Sequence, residues 1–146
     1  MAPAVGSYRR QERWAGGLSI FGGVIHGALT PAHLDEWWGY GLFFFFAAAA
    51  QILYGIALLT DAIDPKLWGP GWEQAKRNLL LLGIAGNLAI ISLYLVTRTV
   101  GIPFFGPEAG EIEAVAPIDV ASKATELALV VLLFQLWRHA PATPSA

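Results

Sequence analysis

The chain contains no cysteine and few charged residues. The lack of cysteine excludes disulfides, thiol catalysis and Cys-ligated zinc or iron–sulfur sites. Charged residues make up 14% of the 146 residues, whereas a soluble domain has about 25%. Hydrophobic residues reach 55%, and the net charge of -2 argues against a nucleic-acid partner, which would require a basic surface. This composition indicates a single membrane domain whose first partner is the lipid bilayer.

Four apolar stretches predict an all-α fold, a four-helix transmembrane bundle within one domain of residues 1–146. A spanning helix needs about 20 apolar residues, and helices satisfy their own backbone hydrogen bonds in lipid. We expect a cytoplasmic tail over residues 1–13 and a disordered tail over residues 139–146. Alternatively, the first stretch is a cleaved signal peptide, which would leave three spans. The predicted spans cover residues 14–30, 37–60, 79–97 and 118–137.

The distribution of basic residues predicts the orientation of these spans. With four spans, seven of the nine Lys and Arg residues lie on one side, and only Arg98 and Lys123 lie towards the other. We therefore expect both termini in the cytoplasm. The link at residues 31–36 and the loop at residues 98–117 would then be extracytoplasmic. The loop is rich in Pro and Gly, so we expect it to be ordered and to cap the bundle.

Most residues capable of chemistry lie towards this outer face, whereas the cytoplasmic half offers only scattered charges. Glu126 lies about 12 Å along the fourth span, where an ionisable group needs a partner. Gln51 and Asn87, near mid-membrane, are candidate neighbours. The outer polar group could form structural ion pairs, a metal or proton site, or a substrate pocket. Its candidate residues are His26, His33, Glu36, Arg98, Glu111, Glu113, Asp119, Lys123 and Glu126.

A divalent metal ion is the cofactor that these residue types allow, since imidazole and carboxylate groups both bind such ions. The candidate ligands are His26, His33, Glu36 and Glu126, although their spacing matches no known metal motif. In the alternative interpretation, the chain turns at Thr30–His33 and Asp35 or Glu36 favourably begins the next helix. The following Phe43–Phe46 and Ala47–Ala50 runs, like the Gly23/Gly27 pair, indicate helix packing.

Two motifs resemble a group of small bacterial four-span membrane proteins. One is H-x-x-EWW-x-x-G at His33–Gly41, and the other is RT-x-G-x-P…GP-x-x-GE-x-E at Arg98–Glu113, followed by Asp119 and Glu126. The resemblance covers His26 to Leu133. The resemblance implies a protein of the bacterial inner membrane, but it does not imply any particular activity.

Three functional hypotheses follow. The first is a membrane binding or accessory protein with a polar, metal-binding site at the outer mouth of the bundle. The second is a small transporter or proton-coupled component that uses Glu126, and the third is a structural subunit of a larger membrane complex. A homo-oligomer is compatible with each of them. An enzyme ranks below all three, because no nucleophile–base arrangement or nucleotide-binding loop is present.

Overall fold

The computed structural model describes residues 5–102 and 104–140, and in this part of the chain all regular structure is helical. The predicted disordered tail falls mostly on residues 141–146, outside the described part. Four long helices and one short helix follow one another along the chain. They are α1 (Val5–Glu36), α2 (Trp38–Leu59), α3 (Pro65–Trp68), α4 (Trp72–Thr99) and α5 (Pro117–His139).

Two of the helices, α2 and α4, are long and apolar enough to cross a membrane. They have 22 and 28 residues, and their most apolar stretches have mean hydropathies of 2.2 and 2.3. Only 22% and 17% of those stretches are buried in the protein. The central helix of a soluble protein would be mostly buried, so the exposure of these helices favours a lipid environment. Helices α1 and α5 are more polar and are not apolar enough to meet the same criterion for a membrane span.

The distribution of polarity is reversed relative to a soluble protein. Large apolar side chains such as Phe46, Leu53 and Leu82 are more than 60% exposed, whereas Ser19, Asn87 and other polar side chains are buried. Water would penalise such an apolar surface, and lipid would not. The exposed apolar side chains and the buried polar side chains thus favour a lipid environment, as does the hydropathy of α2 and α4.

The first helix is longer than the sequence predicted. It begins at Val5, inside the expected tail, and continues through Pro31 to Glu36. The predicted turn at Thr30–His33 is therefore wrong. Pro31 interrupts the regular hydrogen bonding, and in the same turn the Thr30 hydroxyl donates to the His26 carbonyl at 2.9 Å. Only Trp37, in an extended conformation, separates α1 from α2.

Helix α1 packs along α2 and against α5, and α5 in turn packs against α4. Small residues permit the close contact of α1 and α2. A Cβ atom on Gly23 would lie 2.9 Å from the Ala48 carbonyl oxygen, and one on Gly55 would lie 2.6 Å from the Gly16 carbonyl oxygen. Gly27, the other half of the predicted pair, is less crowded, with 3.7 Å to the Ala48 Cβ atom. Helices α2 and α4 meet mainly through side chains.

Candidate functional site

A buried charged cluster joins α1 to α5. The Nε2 atom of His26 lies 2.8 Å from one Glu126 carboxylate oxygen, to which the Ser122 hydroxyl also donates at 3.2 Å. The Lys123 ammonium donates to the other oxygen at 2.6 Å. Glu126 is fully buried and His26 is 3% exposed. The cluster therefore neutralises a carboxylate that would otherwise be an isolated charge in an apolar bundle.

The predicted metal ligands fall into two separate pairs. His26 contacts Glu126, whereas His33 lies at the end of α1 and its Nδ1 atom lies 2.7 Å from an oxygen of Glu36. Across residues 5–102 and 104–140, no three His, Asp or Glu side chains come together as a metal site would require. Lys123 occupies the position beside Glu126 that a second metal ligand would need.

Gln51 and Asn87, predicted as neighbours of Glu126, pair with each other instead. The Gln51 amide donates to the Asn87 side-chain oxygen at 3.2 Å, and the Asn87 amide donates to the Gly83 carbonyl at 2.8 Å. The Ser19 hydroxyl adds a bond of 2.7 Å to the Gln51 carbonyl. This buried group links α1, α2 and α4 near the middle of the bundle.

Arg98 connects the end of α4 to the loop and to α5. One guanidinium nitrogen contacts Glu113, and the other donates to Asp119 at 2.9 Å. Asp119 also accepts from the backbone N–H of Ala116 at 2.9 Å, just before α5 begins. The planar guanidinium has two donor edges, so one side chain holds both carboxylates. Glu111, another predicted member of the site, is exposed and does not line the cavity described below.

The loop between α4 and α5 returns to the helix ends through backbone contacts. The Glu113 N–H donates to the Thr97 carbonyl at 3.1 Å, and the Gly110 N–H donates to the Ile102 carbonyl at 2.9 Å. The Tyr40 hydroxyl donates to the Phe105 carbonyl at 3.2 Å. Thus the described part of the loop contacts both α2 and α4.

A cavity of about 510 Å³ lies at this end of the bundle. Side chains from α1, α2, α4 and α5 and from the loop line it, so it is a product of the whole arrangement. The His26, Lys123 and Arg98 side chains contribute polar surface, and most of the remaining wall is apolar. Its aromatic wall consists of Trp37, Tyr40, Phe43, Phe44, Tyr94 and Phe105.

His26 lines this cavity and carries a buried nitrogen, Nδ1, that has no hydrogen-bond partner among residues 5–102 and 104–140. An ionised carboxylate can only accept, so with Glu126 ionised beside Lys123 the proton of His26 lies on Nε2. A neutral imidazole then has a lone pair on Nδ1. A buried acceptor without a partner costs free energy, which a ligand with a suitable donor would recover.

A second charged cluster lies at the opposite end of the bundle, where the sequence indicated only scattered charges. The buried Lys76 ammonium lies 2.6 Å from Glu12 and 2.8 Å from Asp61, and Arg9 lies 2.8 Å from Asp61. Asp61 has a φ of 53°, in the left-handed region that often follows a helix. Burial raises the pKa of the nearby Tyr8 hydroxyl, and the negative charges of Glu12 and Asp61 act in the same direction.

A periodic signal in the sequence could have identified this cluster. Glu12, Ser19, His26 and His33 are spaced seven residues apart on α1. Residues at this spacing occupy nearly the same helix face, and the first three are buried. The mean hydropathy of this segment does not reveal the pattern, because the residues between these four positions are mostly glycine or apolar.

No protein-family model matches the chain, and neither the curated proteins nor the solved structures include a match to it.

We expect Arg98→Lys to loosen the loop, because one ammonium cannot hold Glu113 and Asp119 together. Hydrogen bonds to charged groups contribute about 1.5–3 kcal/mol, so a roughly tenfold rise in local opening is expected. Cleavage of the purified protein after Glu108 or Glu111 by a glutamate-specific protease measures this opening. Arg138→Lys, at an exposed position on α5, is the matched control. Equal cleavage of both variants would contradict the role assigned to Arg98.

Proposed function

We propose that the protein is an integral membrane binding protein of the bacterial inner membrane with a ligand site at its extracytoplasmic end. In this proposal α1, α2, α4 and α5 all cross the bilayer, and both termini are cytoplasmic. The apolar exterior of α2 and α4 supports the membrane location. The position of seven basic residues towards the opposite end from the cavity supports the orientation. The resemblance to small four-span bacterial proteins agrees with both.

The cavity of about 510 Å³ is the observation that carries the proposed activity. Ligand sites are typically concave and mostly apolar, with a few polar groups that fix the ligand's orientation. Here the walls are aromatic, and His26, Arg98 and Lys123 supply polar contacts. The natural occupant is therefore a small amphiphile rather than a bare metal ion, because Lys123 and His26 already contact the two Glu126 oxygens that a metal ion would need as ligands.

The loop between α4 and α5 serves as the lid of this site. Tyr40 and Arg98 attach it to α2, α4 and α5 through contacts that ligand entry can break and remake. Several of its exposed side chains, including Phe104, are apolar. A lid of this kind separates the cavity from bulk water.

Single-cysteine labelling tests the proposed topology, and the natural absence of cysteine removes background. In intact bacteria, a membrane-impermeant maleimide should label Glu108→Cys in the outer loop. It should label Lys66→Cys, at an exposed position in α3, only after the cells are opened. Labelling of Lys66→Cys in intact cells, or the reverse pattern, would overturn the orientation.

Binding of 1-naphthol to the protein in lipid nanodiscs tests the cavity. Equilibrium dialysis should show saturable retention above that of empty nanodiscs. Leu93→Trp adds bulk to a residue that lines the cavity and should reduce affinity about tenfold or more, as a steric clash costs about 1–3 kcal/mol. Leu95→Trp, at a 55% exposed position on the same helix, is the control and should bind normally. Equal binding of 1-naphthol by both variants would show that the probe binds outside the cavity. No binding to the wild-type protein would contradict the proposed ligand site.

The buried polar stripe on α1 favours proton-coupled transport as a second candidate function. Glu12, Ser19 and His26 are buried at successive seven-residue intervals, and His26 contacts Glu126. Intramembrane ionisable residues often mark ion or proton pathways.

For this second candidate, Glu126→Gln should abolish proton flux in proteoliposomes that contain a pH-sensitive dye. The amide has nearly the same shape but cannot bind and release a proton at neutral pH. Glu111→Gln, in the exposed part of the loop, should leave flux unchanged. Flux that survives Glu126→Gln would eliminate the transport role of this carboxylate.

A further inference from the structure

Formal charge is distributed very unevenly between the two ends of the bundle. The outer segments, residues 26–40 and 98–126, contain seven carboxylates but only Arg98 and Lys123 as permanent cations, a net charge of -5 with His neutral. The whole chain has a net charge of -2, so the remaining residues carry a net charge of +3. A negative potential at the cavity end attracts cations and raises their local concentration.

The negative charge lies next to the cavity itself. Glu113 and Asp119 line the cavity, and Glu36 and Glu108 lie near enough to Tyr40 to act on it electrostatically. The two permanent cations of the site are already neutralised, since Arg98 contacts Glu113 and Asp119 while Lys123 contacts Glu126. Among the charged side chains that line the cavity, two carboxylates balance two cations, and the buried Glu126, which does not line it, adds one negative charge when His26 is neutral.

The aromatic wall provides a second, independent attraction for a cation. Arg98 and Lys123 both lie over the Tyr94 ring, at 4.9 and 5.3 Å from its centre. No such contact of Trp37, Tyr40 or Phe105 with a cation is present in the described part of the chain. Ring faces that surround a positive charge bind it through their quadrupoles, and quaternary ammonium groups are recognised in this way.

The Nδ1 atom of His26, which has no hydrogen-bond partner in the described part of the chain, also favours a positively charged ligand. A neutral imidazole that donates its Nε2 proton to Glu126 has a lone pair on Nδ1, the negative end of its dipole. His26 is 3% exposed and lines the cavity, and its Nδ1 atom makes no hydrogen bond in the described structure.

We infer that the occupant of the cavity is an organic cation, an ammonium group with apolar or aromatic substituents. This inference rests on the proposed function, whose ligand class it specifies. The apolar substituents replace solvent in the cavity, and the aromatic rings together with the excess carboxylate compensate the desolvated charge. An anionic amphiphile of the same shape would add a negative charge near the excess carboxylate and should bind less tightly than the cation.

Phenyltrimethylammonium and tert-butylbenzene test the charge directly, because the two probes have nearly the same shape and differ by one positive charge. In nanodiscs of zwitterionic lipid, the wild-type protein should bind the cation at least about tenfold more tightly than the neutral probe. The cation should also displace 1-naphthol. Equal affinity, or preference for the neutral probe, would overturn the inference while the proposed function stands on 1-naphthol binding. If neither probe nor 1-naphthol binds, both fail.

Two matched pairs of variants identify the side chains that bind the cation. Trp37→Leu should weaken binding of phenyltrimethylammonium about fivefold or more, whereas Trp38→Leu, a neighbour that is 64% exposed and outside the cavity, should not. Glu113→Gln should weaken it more than Glu111→Gln, since only Glu113 lines the cavity. Retained binding of 1-naphthol by Glu113→Gln shows that the cavity is intact. If Glu113→Gln then binds the cation as the wild type does, the electrostatic part of the inference is wrong.

Discussion

Neutralisation of buried charge is the constraint on which this structure depends. Glu126 is fully buried, and it is tolerable only because Lys123 and His26 contact its two oxygens. This requirement fixes the distance and rotation of α1 relative to α5, because His26 and Glu126 come from different helices. The geometry of the cavity then follows, since both helices contribute to its wall. A change at any member therefore affects packing as well as chemistry.

The contrast between the two halves of the bundle has a simple origin in side-chain volume. At the end that holds the Lys76 cluster, the buried side chains of Leu58, Leu80 and Leu133 fill the centre. At the cavity end, α2 and α4 carry bulky aromatic residues around the open space. The phenylalanine run, predicted to serve helix packing alone, also contributes to the cavity, since Phe43 and Phe44 line it.

The helical fold and the main apolar segments could be predicted from hydropathy, because lipid imposes a length and a backbone hydrogen-bonding rule. The contact of His26 with Glu126 was one of several open possibilities, while the neighbours predicted for Glu126, Gln51 and Asn87, pair with each other. The continuation of α1 through Pro31 was not predictable from local preference, since packing against α2 overrides the turn signal. The second charged cluster was missed because Lys76 and Glu12 are far apart in sequence and resemble ordinary charges of a loop and a tail.

The regular spacing of polar residues on α1 has an electrical consequence. Glu12 and His26 are separated by about 21 Å along the helix axis, and the hydrocarbon layer of a membrane is about 30 Å thick. If α1 crosses the bilayer, most of the voltage of an energised membrane falls between these two groups. A unit charge that crosses the full voltage changes its energy by about 2.3 kcal/mol per 100 mV. A change in the membrane voltage would then alter the relative energy of a charge held at either end of α1.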